Sequence, residues 1–155
     1  MSKYLDLDQA VNDIKQRLQR KLSPNEMARV ANFAINEIKE RSRRGYGVDP
    51  QTLTQKPFPR LSASYIKRRA KSVLSPFTSP SKSNITFSGR LLAGLRFSIA
   101  QGKAIITPTG QSRGGVDNKE VASYLKDKGR SFLLLSKSQI VKLVEFISKE
   151  IFKGV

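Results

Sequence analysis

The chain contains no cysteine and no histidine among its 155 residues. These absences exclude disulfides, thiol nucleophiles, cysteine-based zinc sites and the imidazole that most often serves as general acid or base. No apolar run approaches the roughly 20 residues that span a bilayer, and the start of the chain lacks the apolar core of a secretory signal. Most enzyme mechanisms are therefore excluded, and we expect a protein that stays in the cytosol or in something assembled there.

Acidic residues are scarce: 12 Asp and Glu stand against 29 Lys and Arg, which gives a formal net charge of +17. A surface with this excess of cations is expected to bind an anionic partner, which can be nucleic acid, an anionic membrane or an acidic protein. A chain of this length is expected to form a single domain, residues 1–155, around one core.

Helical periodicity is clearest in the first quarter of the chain. Apolar residues at three- and four-residue spacings predict a helix over residues 5–22 and a second helix that follows Ser23. Ser23 and Glu26 have the form of a capping box, with proline at the first helical position. Cations and a glycine, Gly45, mark the end of this second helix.

Two further helices are predicted near the carboxyl end. Residues 119–128 carry an apolar face and are followed by Gly129, which ends the helix. Ser136 and Gln139 form a second capping-box pair at the start of a terminal helix. The apolar face of that terminal helix consists of Ile140, Val141, Leu143, Val144, Ile147 and Ile151.

A β-hairpin is predicted in the middle of the chain. Ser88 can cap one helical turn that begins at Gly89, and Gln101–Gly102 provides a tight reversal between two strands. Alternation on the first strand separates the side chains into two sets, with Leu95, Phe97 and Ile99 on one face and Arg96 and Ser98 on the other.

Four segments lack a regular pattern. Residues 46–61 carry several glycines and prolines and are predicted to form an irregular arm, and residues 72–84, rich in Ser and Pro, an extended loop. Both are candidates for arms that become ordered on assembly. Residues 110–118 are predicted to form a mobile loop, and the apolar run 132–135 is either a strand or a buried turn.

No arrangement of carboxylates points to catalysis or to a metal. Asp117 and Glu120 lie at a predicted helix start, where the helix dipole favours acidic side chains. The glycine-rich segment 110–115 lacks the Gly-Lys-Ser/Thr ending of a phosphate-binding loop. The remaining acidic residues of the first helices are expected on solvent-exposed faces, namely Asp6, Asp8, Asp13, Glu26, Glu37 and Glu40.

Two basic clusters are the candidate contact sites. Ser62 is predicted to cap a short helix in which Tyr65, Ile66 and Ala70 face inward and cations occupy the rest of the circumference. No pattern for reading bases accompanies the cations, so a DNA contact would be made to the backbone, independently of sequence. The candidate contact residues are Lys39, Arg41, Arg43 and Arg44 in one cluster and Arg60, Lys67, Arg68, Arg69 and Lys71 in the other.

Four segments, in this order, resemble the tail-completion and head–tail joining proteins of long-tailed bacteriophages, a group also described as neck or virion morphogenesis proteins. The segment 38–45 follows the paired helices, and 58–69 is similar to the family's proline, leucine and serine followed by a basic helix. The segment 87–97 is similar to its Thr-Gly-x-Leu-x-x-Ser-Leu turn into a hairpin. The segment 129–136, Gly-Arg-Ser-Phe-Leu-Leu-Leu-Ser, is similar to its Arg-x-Phe-Leu-x-Leu-Ser signature.

The resemblance implies an α+β fold in which helices pack on a small antiparallel sheet with extended loop arms. It implies a structural protein of the virion at the head–tail junction, made in the host cytoplasm and assembled as a ring, with a hexamer favoured over a dodecamer. The implied partners are portal, adaptor or head-closure proteins and tail tube or sheath proteins. The net charge of +17 adds the hypothesis that a cationic inner surface of the ring contacts the backbone of packaged double-stranded DNA. The resemblance implies no catalysis, no cofactor, no metal and no membrane contact.

Two other functions stay open from the sequence. The first is a free DNA-binding protein that coats nucleic acid through the same basic clusters. The second is a small nuclease that uses the scattered carboxylates and a divalent metal. Neither the ring size nor the position in the neck, as adaptor, stopper or tail terminator, follows from the residues.

Overall fold

The computed structural model describes residues 7–9, 11–12, 22–71, 89–112 and 114–153. It has the expected α+β fold, with helices packed against two small two-stranded antiparallel sheets instead of one. Residues 7–9 and 11–12 are helical, and the rest of the predicted first helix lies outside the described residues. The regular elements that follow are α1 (Pro24–Arg43), β1 (Tyr46–Val48), β2 (Gln55–Pro57), α2 (Ala63–Ala70), α3 (Arg90–Ala93), β3 (Leu95–Ala100), β4 (Lys103–Pro108), α4 (Asn118–Asp127) and α5 (Lys137–Phe146).

Helix α1 is the central element, and its boundaries follow the predicted signals. The Ser23 side chain accepts a hydrogen bond from the Glu26 backbone N–H at 3.2 Å, and the Glu26 carboxylate accepts one from the Ser23 N–H at 2.8 Å. The helix ends where Gly45 takes a φ of 93°, in the left-handed region that glycine enters without strain. The capping box and the glycine stop are confirmed.

Strands β3 and β4 form the predicted hairpin, with Leu95 paired to Pro108 and Ala100 to Lys103. The turn residues Gln101 and Gly102 have φ values of 51° and 70°, as a tight hairpin turn requires. One helical turn, α3, precedes the hairpin, with Gly89 as its N-cap residue. The predicted cap residue, Ser88, lies outside the described residues.

The main core forms between α1, the β3–β4 hairpin and the carboxyl-terminal half of the chain. Gly94 lies at a close approach in this region, because a Cβ atom there would be 2.3 Å from the Thr109 carbonyl oxygen. A second apolar cluster contains Ile147, Ile151 and Phe152, where α5 continues as a π-helical turn over Ile147–Ile151. The buried residues of the main core are Ile35, Ile38, Phe58, Leu91, Leu92, Leu95, Ala122 and Phe132.

The segment 46–61 corrects a prediction, because it is not an irregular arm. Strands β1 and β2 pair antiparallel, with Tyr46 opposite Pro57. Val48 is 1% exposed and its N–H donates to the Ser131 carbonyl at 2.9 Å, and Phe58 is 6% exposed in the core. Contacts with a segment some eighty residues later thus hold strands that are only three residues long. The second predicted arm, 72–84, lies outside the described residues.

The carboxyl-terminal half otherwise follows the predictions. Helix α4 begins after Asp117, whose carboxylate accepts from the Lys119 N–H at 2.7 Å, and it stops at Gly129 with a φ of 75°. The ambiguous segment 132–135 is a bend and not a strand. Phe132 is buried in the core, whereas Leu134 is 40% exposed, so the segment is not a fully buried turn. Both bonds of the second capping box are present at the start of α5. None of the described helices is long and apolar enough to cross a membrane.

Candidate interaction surface

Arg41, in the last turn of α1, is the most completely buried large side chain of the molecule's described part, with 0% exposure. Its guanidinium donates hydrogen bonds to four oxygen atoms. Two of these distances are 2.7 Å, to the Leu134 carbonyl, and 3.3 Å, to the Tyr46 carbonyl. The other two acceptors are the Phe132 carbonyl and the Gln139 side-chain oxygen. Arg41 therefore joins α1 to β1, to the 132–135 bend and to the start of α5.

The shifted pKa of Arg41 is typical of a buried side chain with a structural role. Burial lowers the pKa of Arg41 to about 10, although the carboxylate of Glu37 opposes this shift. Gln139, which accepts from Arg41, also donates from its amide nitrogen to the Glu37 carbonyl of α1 at 2.9 Å, so it connects the start of α5 to α1 a second time. Arg41 was predicted to contact DNA or a partner, and its burial contradicts that prediction. The sequence around Arg41 does not reveal its burial, because the carbonyl groups that accept its hydrogen bonds belong to a segment about ninety residues away.

Arg69, on α2, corrects a second prediction. Its side chain is buried, with 2% exposure, whereas Ala70, which was predicted to face inward, is exposed. Burial lowers the pKa of Arg69, and Tyr65 opposes this shift. Tyr65 and Ile66 are half-buried, in agreement with the prediction, but Arg69 takes the inward place predicted for Ala70 and does not belong to the solvent-facing basic surface.

The remaining predicted cations of the second cluster, Arg60, Lys67, Arg68 and Lys71, are exposed. We call these four residues the α2 basic surface. The Arg68 guanidinium lies 4.8 Å from the centre of the Tyr65 ring, a cation–π contact that limits the freedom of this side chain.

The α2 basic surface is anchored by Arg130, which the contact prediction did not include. The Arg130 guanidinium donates to the Pro59 carbonyl at 3.1 Å and to the Arg60 carbonyl at 3.4 Å. Ser62 then caps α2 as predicted, accepting from the Tyr65 N–H at 3.3 Å. Arg130, in the segment after Gly129, therefore holds in place the residues that lead into α2.

The first cluster keeps three of its four residues near the surface. Arg43 and Arg44 are exposed and Lys39 is half-buried. The pKa of Lys39 is lowered by burial first, then by the charges of Arg43 and Arg96. Arg96 comes from strand β3, where its guanidinium donates to the carbonyls of Ala93 at 2.7 Å and Leu95 at 2.9 Å. Strand alternation had placed Arg96 opposite the core face, and the packing of α1 on β3 brings it to this cluster.

In the described ranges, no group of three or more His, Cys, Asp or Glu side chains could hold a metal ion. Several of the described carboxylates instead form an ion pair with one cation each. Lys142 pairs with Glu37 at 3.4 Å, and Lys56 pairs with Asp49 at the same distance. The exposed side chains of the two basic clusters are cationic, a property that suits contact with anionic groups.

Comparisons of the chain with known proteins identify no relative. No protein-family model matches the chain, and searches of curated proteins and of solved structures give no match.

Proposed function

We propose that this protein is a structural component of a bacteriophage virion, a neck or tail-completion protein that forms a ring at the head–tail junction. In this role it joins the DNA-filled head to the tail and catalyses no reaction. The proposed ring is a hexamer, with a dodecamer as the other symmetry, and the protein is made in the host cytoplasm before it enters the particle.

The observation that carries the proposal is that the four segments similar to this phage family interlock in space. Arg41, in the first segment, donates to the carbonyls of Phe132 and Leu134 in the last one. Arg130, in the last segment, donates to Pro59 and Arg60 carbonyls in the second. Residues far apart in the chain thus act as one scaffold, which is the arrangement expected of segments that belong to one family fold.

The third similar segment belongs to the same scaffold. Its residues Leu92 and Leu95 are each 1% exposed and pack in the core with Phe58 from the second segment and Phe132 from the last. The features that carry the resemblance are therefore features of folding. The recognition of neighbours is left to the exposed residues around them, which can differ between phages that have different portals and tails.

Charge is the second support. A net charge of +17 suits a subunit that docks on acidic faces of portal, adaptor or head-closure proteins and of tail tube or sheath proteins. We assign such contacts to the α2 basic surface and to Arg43 and Arg44, with the half-buried Lys39 beside them. In a ring that surrounds packaged DNA, they also suit the phosphate backbone.

Electron microscopy of lysates from a phage that lacks this gene tests the proposal. We expect DNA-filled heads beside complete, unattached tails, and we expect the protein supplied in trans to restore joined particles. Empty heads would assign the protein to head closure instead. Normal infectious particles would contradict a role at the junction.

The alternative function is a sequence-independent DNA-binding protein, and the observation that favours it is the exposure of the whole α2 basic surface. A protein of that kind binds duplex DNA alone, with an affinity that falls steeply as salt rises. The matched experiment compares the unmodified protein with the Lys67→Glu/Lys71→Glu variant and with a control, Lys103→Glu/Lys128→Glu, whose changes are also exposed. Tight, salt-dependent binding that only the first variant loses, together with normal particles in the deletion, would favour DNA coating over joining.

A further inference from the structure

A cavity of about 530 Å³ opens beside α4, between the β1–β2 turn and the 132–135 bend that precedes α5. Its size lies within the range of about 300–1,000 Å³ that is typical of binding pockets. Its floor includes Ala122 and Phe132, which are 7% and 2% exposed. Its apolar walls come from Pro50, Leu53, Pro108, Leu133 and Leu134.

The β1–β2 turn that forms one wall is held in place by hydrogen bonds. The Leu53 N–H donates to the Asp49 carbonyl at 2.9 Å, and the Lys137 N–H donates to the Leu53 carbonyl at 2.9 Å. The Asp49 carboxylate accepts from the Gln51 N–H at 2.9 Å, closing the turn from within. The wall is therefore formed in advance, so a ligand does not have to order it.

Leu53 stands in an unfavourable backbone conformation. Its φ is 54°, in the left-handed region where a residue with a branched side chain is strained and glycine or asparagine is not. The side chain held in this way lines the cavity. Strained residues of this kind cluster at ligand clamps, where the side chain has a use that offsets the strain.

The rim of the cavity is cationic. Lys119, Ser123 and Lys126 lie four and three residues apart along α4, so they share one helix face, and all three line the cavity. Among the described residues that line it, none is a carboxylate. Asp49, in the adjoining turn, already pairs with Lys56 at 3.4 Å. An occupant with an apolar centre and anionic flanks fits this combination.

We propose that this cavity receives an apolar side chain from an acidic peptide segment of the protein to which this chain attaches in the particle. The inference rests on the proposed function and adds the chemistry of the partner. The apolar floor buries the side chain, while the two lysines favour flanking carboxylates and disfavour a cationic segment. The charge of +17 also favours an acidic partner over a second copy of this chain.

Two variants of the full chain test the cavity. Ser123→Phe places a ring in the open space from an exposed position, and Lys119→Glu/Lys126→Glu reverses the rim charge without touching the apolar floor. The matched control is Lys103→Glu/Lys128→Glu, with the same charge change at exposed residues that do not line the cavity. Circular dichroism melting curves establish that each variant is folded before it is supplied in trans to the gene-deleted phage.

We expect the unmodified protein and the control to restore infectious titre, and each cavity variant to lower it by at least about tenfold. Folded cavity variants that restore the titre fully would overturn the cavity proposal while the joining function stands. An unmodified protein that restores nothing would overturn the joining function itself.

The identity of the occupant is tested by a photoreactive lysine analogue at position 126 in assembled particles, followed by mass spectrometry of the crosslinked peptide. A crosslink to a segment of another virion protein that is net acidic and carries an apolar side chain is the expected result. A crosslink to a basic segment, to a second copy of this chain or to DNA would overturn the assignment.

Discussion

Methionine in place of Arg41 keeps an unbranched side chain of similar reach and removes every donor of the guanidinium. Four oxygen atoms lose their charged donor, namely the carbonyls of Tyr46, Phe132 and Leu134 and the side-chain oxygen of Gln139. Hydrogen bonds to charged groups contribute roughly 1.5–3 kcal/mol each, so the gross loss is at least about 6 kcal/mol.

The substitution also removes a cost. Burial lowers the pKa of Arg41 to about 10. The combined effect of burial and of the neighbouring charges on this pKa corresponds to a cost of about 3 kcal/mol for holding the charge at this position, which methionine does not incur. The net loss in the free energy of unfolding is therefore about 3 kcal/mol or more. For a chain of this size such a loss lowers the melting temperature by roughly 6–12 °C.

Urea unfolding followed by circular dichroism measures this difference for Arg41→Met and for a control, Arg44→Met. Arg44 is exposed and lies in the same basic run. Its substitution is expected to change the free energy of unfolding by no more than about 0.5 kcal/mol. An Arg41→Met protein within about 1 kcal/mol of the unmodified one would refute the reasoning, because the four acceptors would then depend little on the guanidinium.

Three further predictions concern single positions. Gly94→Ala places a Cβ atom 2.3 Å from a backbone carbonyl oxygen and should cost about 2–3 kcal/mol, whereas Gly114→Ala, whose Cβ atom would meet only the Ser112 Oγ at 4.0 Å, should be nearly neutral in thermal melts. Hydrogen bonding, from the Gln51 N–H above all, lowers the pKa of Asp49 below its value in the unfolded chain. The ionised Asp49 carboxylate therefore stabilises the fold fully above roughly pH 4, and this stabilisation is lost as the pH falls further. The gap in unfolding free energy between the unmodified protein and Asp49→Asn should therefore change only below that pH, in urea titrations against pH. Gln101→Asn should stabilise the hairpin by about 1 kcal/mol, since asparagine tolerates the left-handed φ better, and a destabilised variant would contradict this assignment.

Local physics made much of the fold predictable. The pairs Ser23–Glu26 and Ser136–Gln139 satisfy backbone groups only three residues away, so the signal and its structure lie in the same short stretch. The hairpin turn at Gln101–Gly102 is equally local. Such features are readable from the chain because no distant residue decides them.

The β1–β2 sheet was missed because distant contacts decide it. Each strand has three residues, β2 is exposed throughout and ends in Pro57, and neither strand shows an alternating pattern. Val48 and Phe58 gain their burial from the carboxyl-terminal half of the chain. Glycines and prolines therefore predicted an irregular arm where tertiary contacts produce a sheet.

The basic clusters show the same limit for the candidate site. Arg41 and Arg69 look like their exposed neighbours in the sequence, since nothing local distinguishes a buried arginine from a solvated one. The acceptors of Arg41 lie between Phe132 and Gln139, apart from the nearby Tyr46 carbonyl. Arg96 entered a cluster through the packing of α1 on β3. A charge run thus predicts a cationic surface but not which of its members face solvent.

Cryo-electron microscopy of purified virions tests the proposed connector function most directly. The account predicts a ring of density at the head–tail junction into which the described core fits, with the cavity beside α4 facing a neighbouring protein. A junction whose density accommodates no copy of this chain, or a chain found only on DNA inside the head, would contradict the account.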